Sequence, residues 1–197
     1  LGEKLAKRAH GILSREFKKR KGVQSGQVKQ RFLGAVTHKG AMTLFDTATA
    51  QCDRIYELVD SYGLAHELLV HILAGGAAGG YDIVACPDPM APQRLAHLLI
   101  PQAGLAFLSV TPGQSPAEKP WRRVRIETGV GGDLMRRSRP RIRFAQKVGE
   151  ALMEEAVASL AQAKAMHDDL EALYNPFVDF QLVDQMAQSV GDEILKI

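Results

Sequence analysis

The loop between a predicted strand and a predicted helix holds the residues best placed for phosphate chemistry. It runs from Asp60 to Glu67, after a β-prone run over 55–59 and ahead of a helical stretch over 64–73. In α/β domains this loop commonly binds phosphate, because backbone N–H groups at the start of the helix face it. A loop that cradles a triphosphate needs the pattern GxxxxGK followed by Ser or Thr. Its glycines let the backbone close around the phosphates, Lys neutralises them and the hydroxyl holds Mg²⁺.

A second candidate site is a block of eight arginines within 22 positions. Three follow Trp121, and the other five are Arg136, Arg137, Arg139, Arg141 and Arg143. Arg binds phosphate and carboxylate in the same forked geometry, so the block could bind nucleic acid or the phosphates of a nucleotide, including as an arginine finger in a neighbouring ATP site. It could equally pair with acidic helices of this chain or of a neighbouring subunit, which is the interpretation we favour.

Other candidate groups favour structural interpretations. The glycine-rich segment 75–80 follows a helix and precedes a strand, so a helix cap and turn is expected there. His66 and His71 lack the i, i+4 spacing of a helical metal site, and no HExxH motif is present. His167 lies on a long predicted helix, where a packed or interface histidine is expected. The sequence predicts no metal site and no catalytic residue.

The composition of the chain indicates the class of protein in which these candidate groups lie. The chain has 197 residues, 46% hydrophobic and 24% charged, which suits one globular domain. Its net charge of +3 is the sum of four blocks, +9 over 1–39, −6 over 40–118, +8 over 119–149 and −8 over 150–197. No apolar run is long enough to cross a bilayer. Two cysteines without a CxxC pair favour a reduced, cytoplasmic protein.

Alternating strand-like and helix-like segments predict a parallel α/β sheet. Strands are expected over 55–59, 81–86, 104–110 and 124–126, and helices over 64–73 and 92–99. Beyond Pro140, apolar residues at three- and four-residue steps from Val148 to Tyr174 predict a long helix. It ends before Pro176 and is followed by a second amphipathic helix, so a C-terminal helical hairpin is expected.

These segments together resemble a bacterial family of duplicated P-loop NTPase-like proteins of unknown function. The resemblance rests on the order and spacing of matching stretches along the whole chain. They include 31–40, 54–56, 80–84 with Cys86, 100–101, 167–171 and 178–180. It implies that this chain is the second of two tandem repeats, preceded by the last helix of the first. Because the chain starts at Leu1 rather than Met, we expect it to begin partway into a longer gene product.

Overlaying the family's phosphate loop on this sequence shows a degenerate motif. Asp60 stands at the first Gly and Ala65 at the Gly before Lys, while Gly63 keeps its type. His66 replaces the Lys and Glu67 replaces the Ser or Thr. The strand that should end in a Mg²⁺-binding Asp ends in Ser109 instead. A site without the Lys, the hydroxyl and the metal carboxylate is not expected to hydrolyse nucleotide.

The resemblance and the residues together predict four parts. Residues 1–21 form a helix belonging to a preceding repeat, 22–30 a linker, 31–142 a P-loop-NTPase-like domain and 143–197 a helical hairpin packed on it. The expected function is a non-catalytic interaction or regulatory module, without cofactor, beside an intact ATP-binding repeat or in a homo-oligomer. The first alternative is an ATPase that binds ATP with Mg²⁺ through an atypical loop. The second is nucleic-acid binding by the arginine block.

Overall fold

A computed structural model describes residues 2–18, 24–129 and 132–196. Its helices and strands alternate over the first two thirds of the chain, and two helices follow. The helices are α1 (Gly2–Glu16), α2 (Phe45–Gln51), α3 (Ala65–Ala78), α4 (Gly132–Tyr174) and α5 (Phe180–Leu195). The strands are β1 (Val28–Gln30), β2 (Gly34–Thr37), β3 (Gly40–Thr43), β4 (Arg54–Val59), β5 (Ile83–Asp88), β6 (Ala91–Ile100), β7 (Leu105–Val110) and β8 (Arg122–Arg125).

Six of the strands form one mixed sheet in the order β1-β5-β6-β7-β4-β8. The pairs β1–β5, β4–β7 and β4–β8 are parallel, whereas β6 runs antiparallel to both of its neighbours. Strands β2 and β3 form a separate antiparallel hairpin. The α/β class predicted from the sequence is therefore confirmed, but the expectation of an all-parallel sheet is wrong.

Three predicted element boundaries need correction. The segment 92–99, expected to be helical, lies in β6, since a segment between two buried strands gains more from sheet pairing than from its helix propensity. Residues 28–30, expected in a linker, form the edge strand β1. Helix α4 begins at Gly132 rather than near residue 143 and continues through Pro140, so the second half of the arginine block is helical. Residues 19–23 of the predicted first helix and linker lie outside the described residues.

Helix α1 packs against α3 on one face of the sheet. Its apolar residues Leu5, Ala9 and Ile12 are buried in the main core. The contact is close because α3 carries glycine here: a Cβ added at Gly75 would lie 2.3 Å from Leu13 Cδ1. The glycine-rich segment thus allows helix packing, and the helix runs through Gly75 instead of ending there. That α1 belongs to a preceding repeat stays a prediction.

Polar contacts tie α1 to the sheet. The Glu16 carboxylate accepts a hydrogen bond from Arg54 Nη1 at 2.6 Å and another from the Tyr56 hydroxyl. Trp121 Nε1 donates to the same carboxylate at 3.4 Å. The charge on Glu16 is thereby paired and hydrogen-bonded, as a nearly buried carboxylate requires.

The C-terminal helices have a different character from the sheet domain. No described side chain of α5 is buried, so its apolar residues face solvent, and it is not packed on the domain as the predicted hairpin required. The last part of α4 is equally exposed. Among the described residues, no helix combines the length and the apolar character needed for a membrane crossing.

The glycine packing makes a first prediction. Gly75→Ala should lower the melting temperature, because the added methyl group would overlap Leu13 and force that side chain out of its contact between α1 and α3. Gly149→Ala in α4 is the matched control, since nothing lies within 4 Å of a Cβ there. Alanine is favoured over glycine in an open helix position by about 0.5–1 kcal/mol, so the control should raise the melting temperature slightly. Equal shifts of the two variants in a thermal melt would contradict this packing.

Candidate functional site

The loop after β4 is closed on the carboxylate of its own Asp60. One oxygen of Asp60 accepts the backbone N–H of Tyr62 at 2.9 Å, and the other accepts that of Ala65 at 2.6 Å. Ala65 is the first residue of α3, so its N–H is one of those a helix leaves without an internal partner. Gly63 makes the turn possible with φ +69°, a conformation that residues with a Cβ rarely adopt. An internal carboxylate therefore occupies the helix N-terminus that would receive phosphate.

Three further side chains hold the same loop from outside. Glu127 Oε1 accepts the N–H of Ser61 at 2.8 Å. Gln146, on α4, donates from Nε2 to the Ser61 carbonyl at 3.1 Å, and Arg94 donates to the Gly63 carbonyl. Three N–H groups of the loop and helix start are thus bonded to carboxylates.

The other predicted loop residues do not converge on a ligand position. His66, at the place of the phosphate-binding Lys, accepts the N–H of Leu95 with its Nδ1 at 2.9 Å. This bond holds the ring against β6. Glu67 is exposed and Ala65 is buried. The loop therefore lacks the Lys that the motif places at position 66, and the cation beside it is Arg94 on β6, which bonds the Gly63 carbonyl.

His97 and Ser109 lie together on β6 and β7, beyond the loop. Ser109 donates its backbone N–H to His97 Nδ1 at 3.2 Å, so neutral His97 carries its proton on Nε2. Burial lowers the pKa of His97 to about 4, against an opposing effect of Asp88. The ring of Phe45 packs edge-on against His97, with centroids 5.7 Å apart. Ser109 Oγ is buried and has no hydrogen-bond partner.

A cavity of about 500 Å³ opens beside these residues. It lies where β4 and β7 end, the edge at which α/β domains usually bind ligands. Its wall mixes polar and apolar side chains, among them Phe45, His66, Met90, His97, Ser109 and Met153. The strand edge thus keeps a pocket, although the loop after β4 beside it is closed.

The arginine block divides into two parts with different surroundings. Arg123 pairs with the fully buried Glu57, Nε to Oε2 at 2.7 Å, and the same carboxylate accepts the Ser115 hydroxyl. The arginines of α4 are exposed, and of these Arg136 pairs with Asp133 on its own helix. The five are Arg136, Arg137, Arg139, Arg141 and Arg143. Pairing within the chain is thus seen for Arg123 and Arg136, and the arginines of α4 face outward.

The remaining candidates form no reactive centre among the described residues. His167, Asp168 and Glu171 lie within 4.8 Å of one another on α4, but His167 faces Glu171 at 3.5 Å and Lys164 pairs with Asp168. Cys86 is a buried free thiol, and burial raises its pKa to about 11, the opposite of an activated nucleophile.

Sequence reasoning missed three features of this site. It treated Asp60 only as a repulsive charge, although an Asp shortly before a helix is a known capping signal. Glu127 and Gln146 come from distant segments, and no local pattern marks them. His97 was assigned to a helix and therefore was not placed beside Ser109.

The class of protein defined by fold and site is an α/β domain whose loop after β4 is closed by an internal carboxylate. Comparison with protein-family models, with curated proteins and with solved structures finds no match for this chain.

The closed loop makes a second prediction. Asp60→Ala should destabilise the protein by about 1 kcal/mol, because it leaves the N–H groups of Tyr62 and Ala65 without their acceptor. Asp60→Asn keeps an acceptor and should cost less than half of that. Glu67→Ala, in the same helix turn but exposed, is the control and should change stability little. Denaturant unfolding measures all three, and equal stability of Asp60→Ala and wild type would contradict the capping.

The buried imidazole makes a third prediction. The pKa of His97 lies below its ordinary value of 6.5, so only the unfolded chain binds this proton between about pH 6.5 and pH 4. The stability that neutral, buried His97 contributes is complete above pH 6.5. It is lost as the pH falls, and the free energy of unfolding then decreases by up to ~1.4 kcal/mol per pH unit. His97→Asn should flatten this slope, whereas the exposed His10→Asn should not. An unchanged slope in His97→Asn, measured by denaturant unfolding across this range, would contradict the prediction.

Proposed function

We propose that this chain is a degenerate P-loop NTPase-like domain that does not bind or hydrolyse ATP and acts as an interaction or regulatory module. The observation that carries the proposal is the Asp60 carboxylate, which accepts both the Tyr62 and the Ala65 N–H groups. The strand order supports it, since the strand before the loop lies between two parallel neighbours, β7 and β8.

Electrostatics argue against a nucleotide in this loop. Asp60 and Glu127 both direct carboxylate oxygens at loop N–H groups, where a phosphate would have to lie. Two unit charges about 4 Å apart repel by roughly 4 kcal/mol at an effective dielectric constant of 20, and a triphosphate carries several charges. A nucleotide would therefore have to displace Asp60 and break the cap of α3 before it could bind.

The groups that would catalyse hydrolysis are also replaced. His66 is held against β6 by Leu95 and is shorter than Lys. Ser109, at the expected position of the metal carboxylate, has a buried hydroxyl that holds no charge. Without the motif's Lys, its hydroxyl and the carboxylate that would hold Mg²⁺, phosphoryl transfer lacks its usual stabilisation.

The interaction role is supported by the C-terminal helices. Large apolar side chains on α4 and α5 are more than half exposed, for example Phe144 at 72%, Leu152 at 67% and Met186 at 62%. Exposed apolar surface of this extent typically marks an interaction site. The partner we first propose is an adjacent repeat of the same gene product or another copy of the chain.

Titration calorimetry with Mg·ATP tests the proposal on the full chain. We expect no heat of binding at micromolar or sub-millimolar nucleotide. A variant with Asp60→Gly, Ala65→Gly, His66→Lys and Glu67→Thr restores the GxxxxGKT spacing and should gain measurable affinity. Glu67→Thr alone, which leaves Asp60 in place, is the control and should not. Micromolar binding by the wild-type chain would overturn the proposal and favour an ATPase with an atypical loop.

A further inference from the structure

We propose that two copies of this chain associate through antiparallel packing of their α4 helices. This names the partner for the interaction role proposed above, but it does not depend on the loss of nucleotide binding. The helix has 43 residues, so it is about 65 Å long and reaches well beyond the sheet domain.

The contact surface is a seam along the outer side of α4. Residues at steps of three and four recur on one side of a helix, and the seam follows these steps along nearly the whole element. Every member is exposed. The seam consists of Arg137, Arg141, Phe144, Val148, Leu152, Glu155, Ser159, Ala163, Met166, Leu170 and Leu173.

A neighbouring side of the same helix already faces the protein. Met135, Ile142, Met153 and Ala156 are partly buried, and Gln146 from this side bonds the loop after β4. The seam lies about 100° around the helix from these residues, at 100° per residue. The domain therefore leaves the seam uncovered.

The distribution of charged residues along α4 favours pairing with a second copy of the chain in antiparallel orientation. The first part of α4, residues 132–149, carries six basic residues and one acid, whereas its remaining part, residues 150–174, carries six acids and one lysine. A parallel pair would place like charges together, but an antiparallel pair places each basic half beside an acidic half. The surface is thus self-complementary, as a twofold dimer requires.

Apolar spacing fixes the register. Centring the pair on residue 155 sets Phe144 level with Met166 and places Val148 next to Ala163. In the same register Arg141 lies level with Asp169 of the other copy and next to its Leu170. An arginine stem can cover leucine while its guanidinium reaches the carboxylate. Only Glu155 is placed badly, because it meets its own counterpart at the twofold axis.

A charge-swap experiment tests the dimer by sedimentation velocity, with circular dichroism to check that each variant folds. Wild type should dimerise reversibly. Arg141→Glu and Asp169→Arg should each raise the dissociation constant about tenfold or more, since each places two like-charge pairs in the dimer. An equimolar mixture should dimerise as wild type does, because opposite charges then meet at both ends.

Two further variants separate this register from a general charge effect. Arg139→Glu changes the charge as Arg141→Glu does, but Arg139 lies on the side of α4 opposite the seam, so it should leave the dimer intact. Glu155→Gln should tighten the dimer several-fold by removing the like-charge contact.

Three outcomes would each overturn the inference. They are a wild-type protein that stays monomeric at all concentrations, equal effects of Arg139→Glu and Arg141→Glu on the dissociation constant, and failure of the equimolar mixture to associate. A monomer that binds duplex DNA with salt-sensitive affinity would overturn it in favour of nucleic acid. None of these outcomes changes the expected calorimetric result with Mg·ATP.

Discussion

The hydrogen bonds from Tyr62 and Ala65 to the Asp60 carboxylate are the contacts on which the site depends. The start of α3 exposes N–H groups that need an acceptor. In a nucleotide-binding loop that acceptor is a phosphate, and here it is the side chain of a residue two positions before Tyr62 and five before Ala65. The Asp60 carboxylate thus satisfies these N–H groups without any ligand. The same contact is the basis of our proposal that the loop does not bind nucleotide.

The rest of the domain maintains this closed loop. Glu127 and Gln146 bond Ser61 from segments beyond the sheet, and Arg94 holds the Gly63 carbonyl from β6. Because Gln146 lies on α4, the long helix is anchored where the loop closes. The anchored side of α4 leaves its seam free, so one helix both contributes to the closed loop through Gln146 and carries the exposed apolar surface.

The sequence predicted the parts of the fold that local patterns encode. The apolar run of β7 and the β-prone run of β4 mark buried strands, and the three- and four-residue steps after Val148 mark a helix. Strand β6 was mistaken for a helix, because its local preference is overridden by pairing with β5 and β7. At the site, the replacements at Asp60 and His66 could be identified from spacing. Their hydrogen-bond partners could not, since Glu127 and Leu95 meet the loop only in the folded chain.

The Ala65 amide gives the most direct test of the closed loop. A through-hydrogen-bond scalar coupling between the Ala65 amide nitrogen and the Asp60 carboxyl carbon can be measured by NMR on labelled protein. The closed loop predicts that this coupling is present and that neither it nor the Ala65 amide shift changes when Mg·ATP is added. Absence of the coupling, or its loss together with a saturable shift of the amide on adding Mg·ATP, would contradict the account.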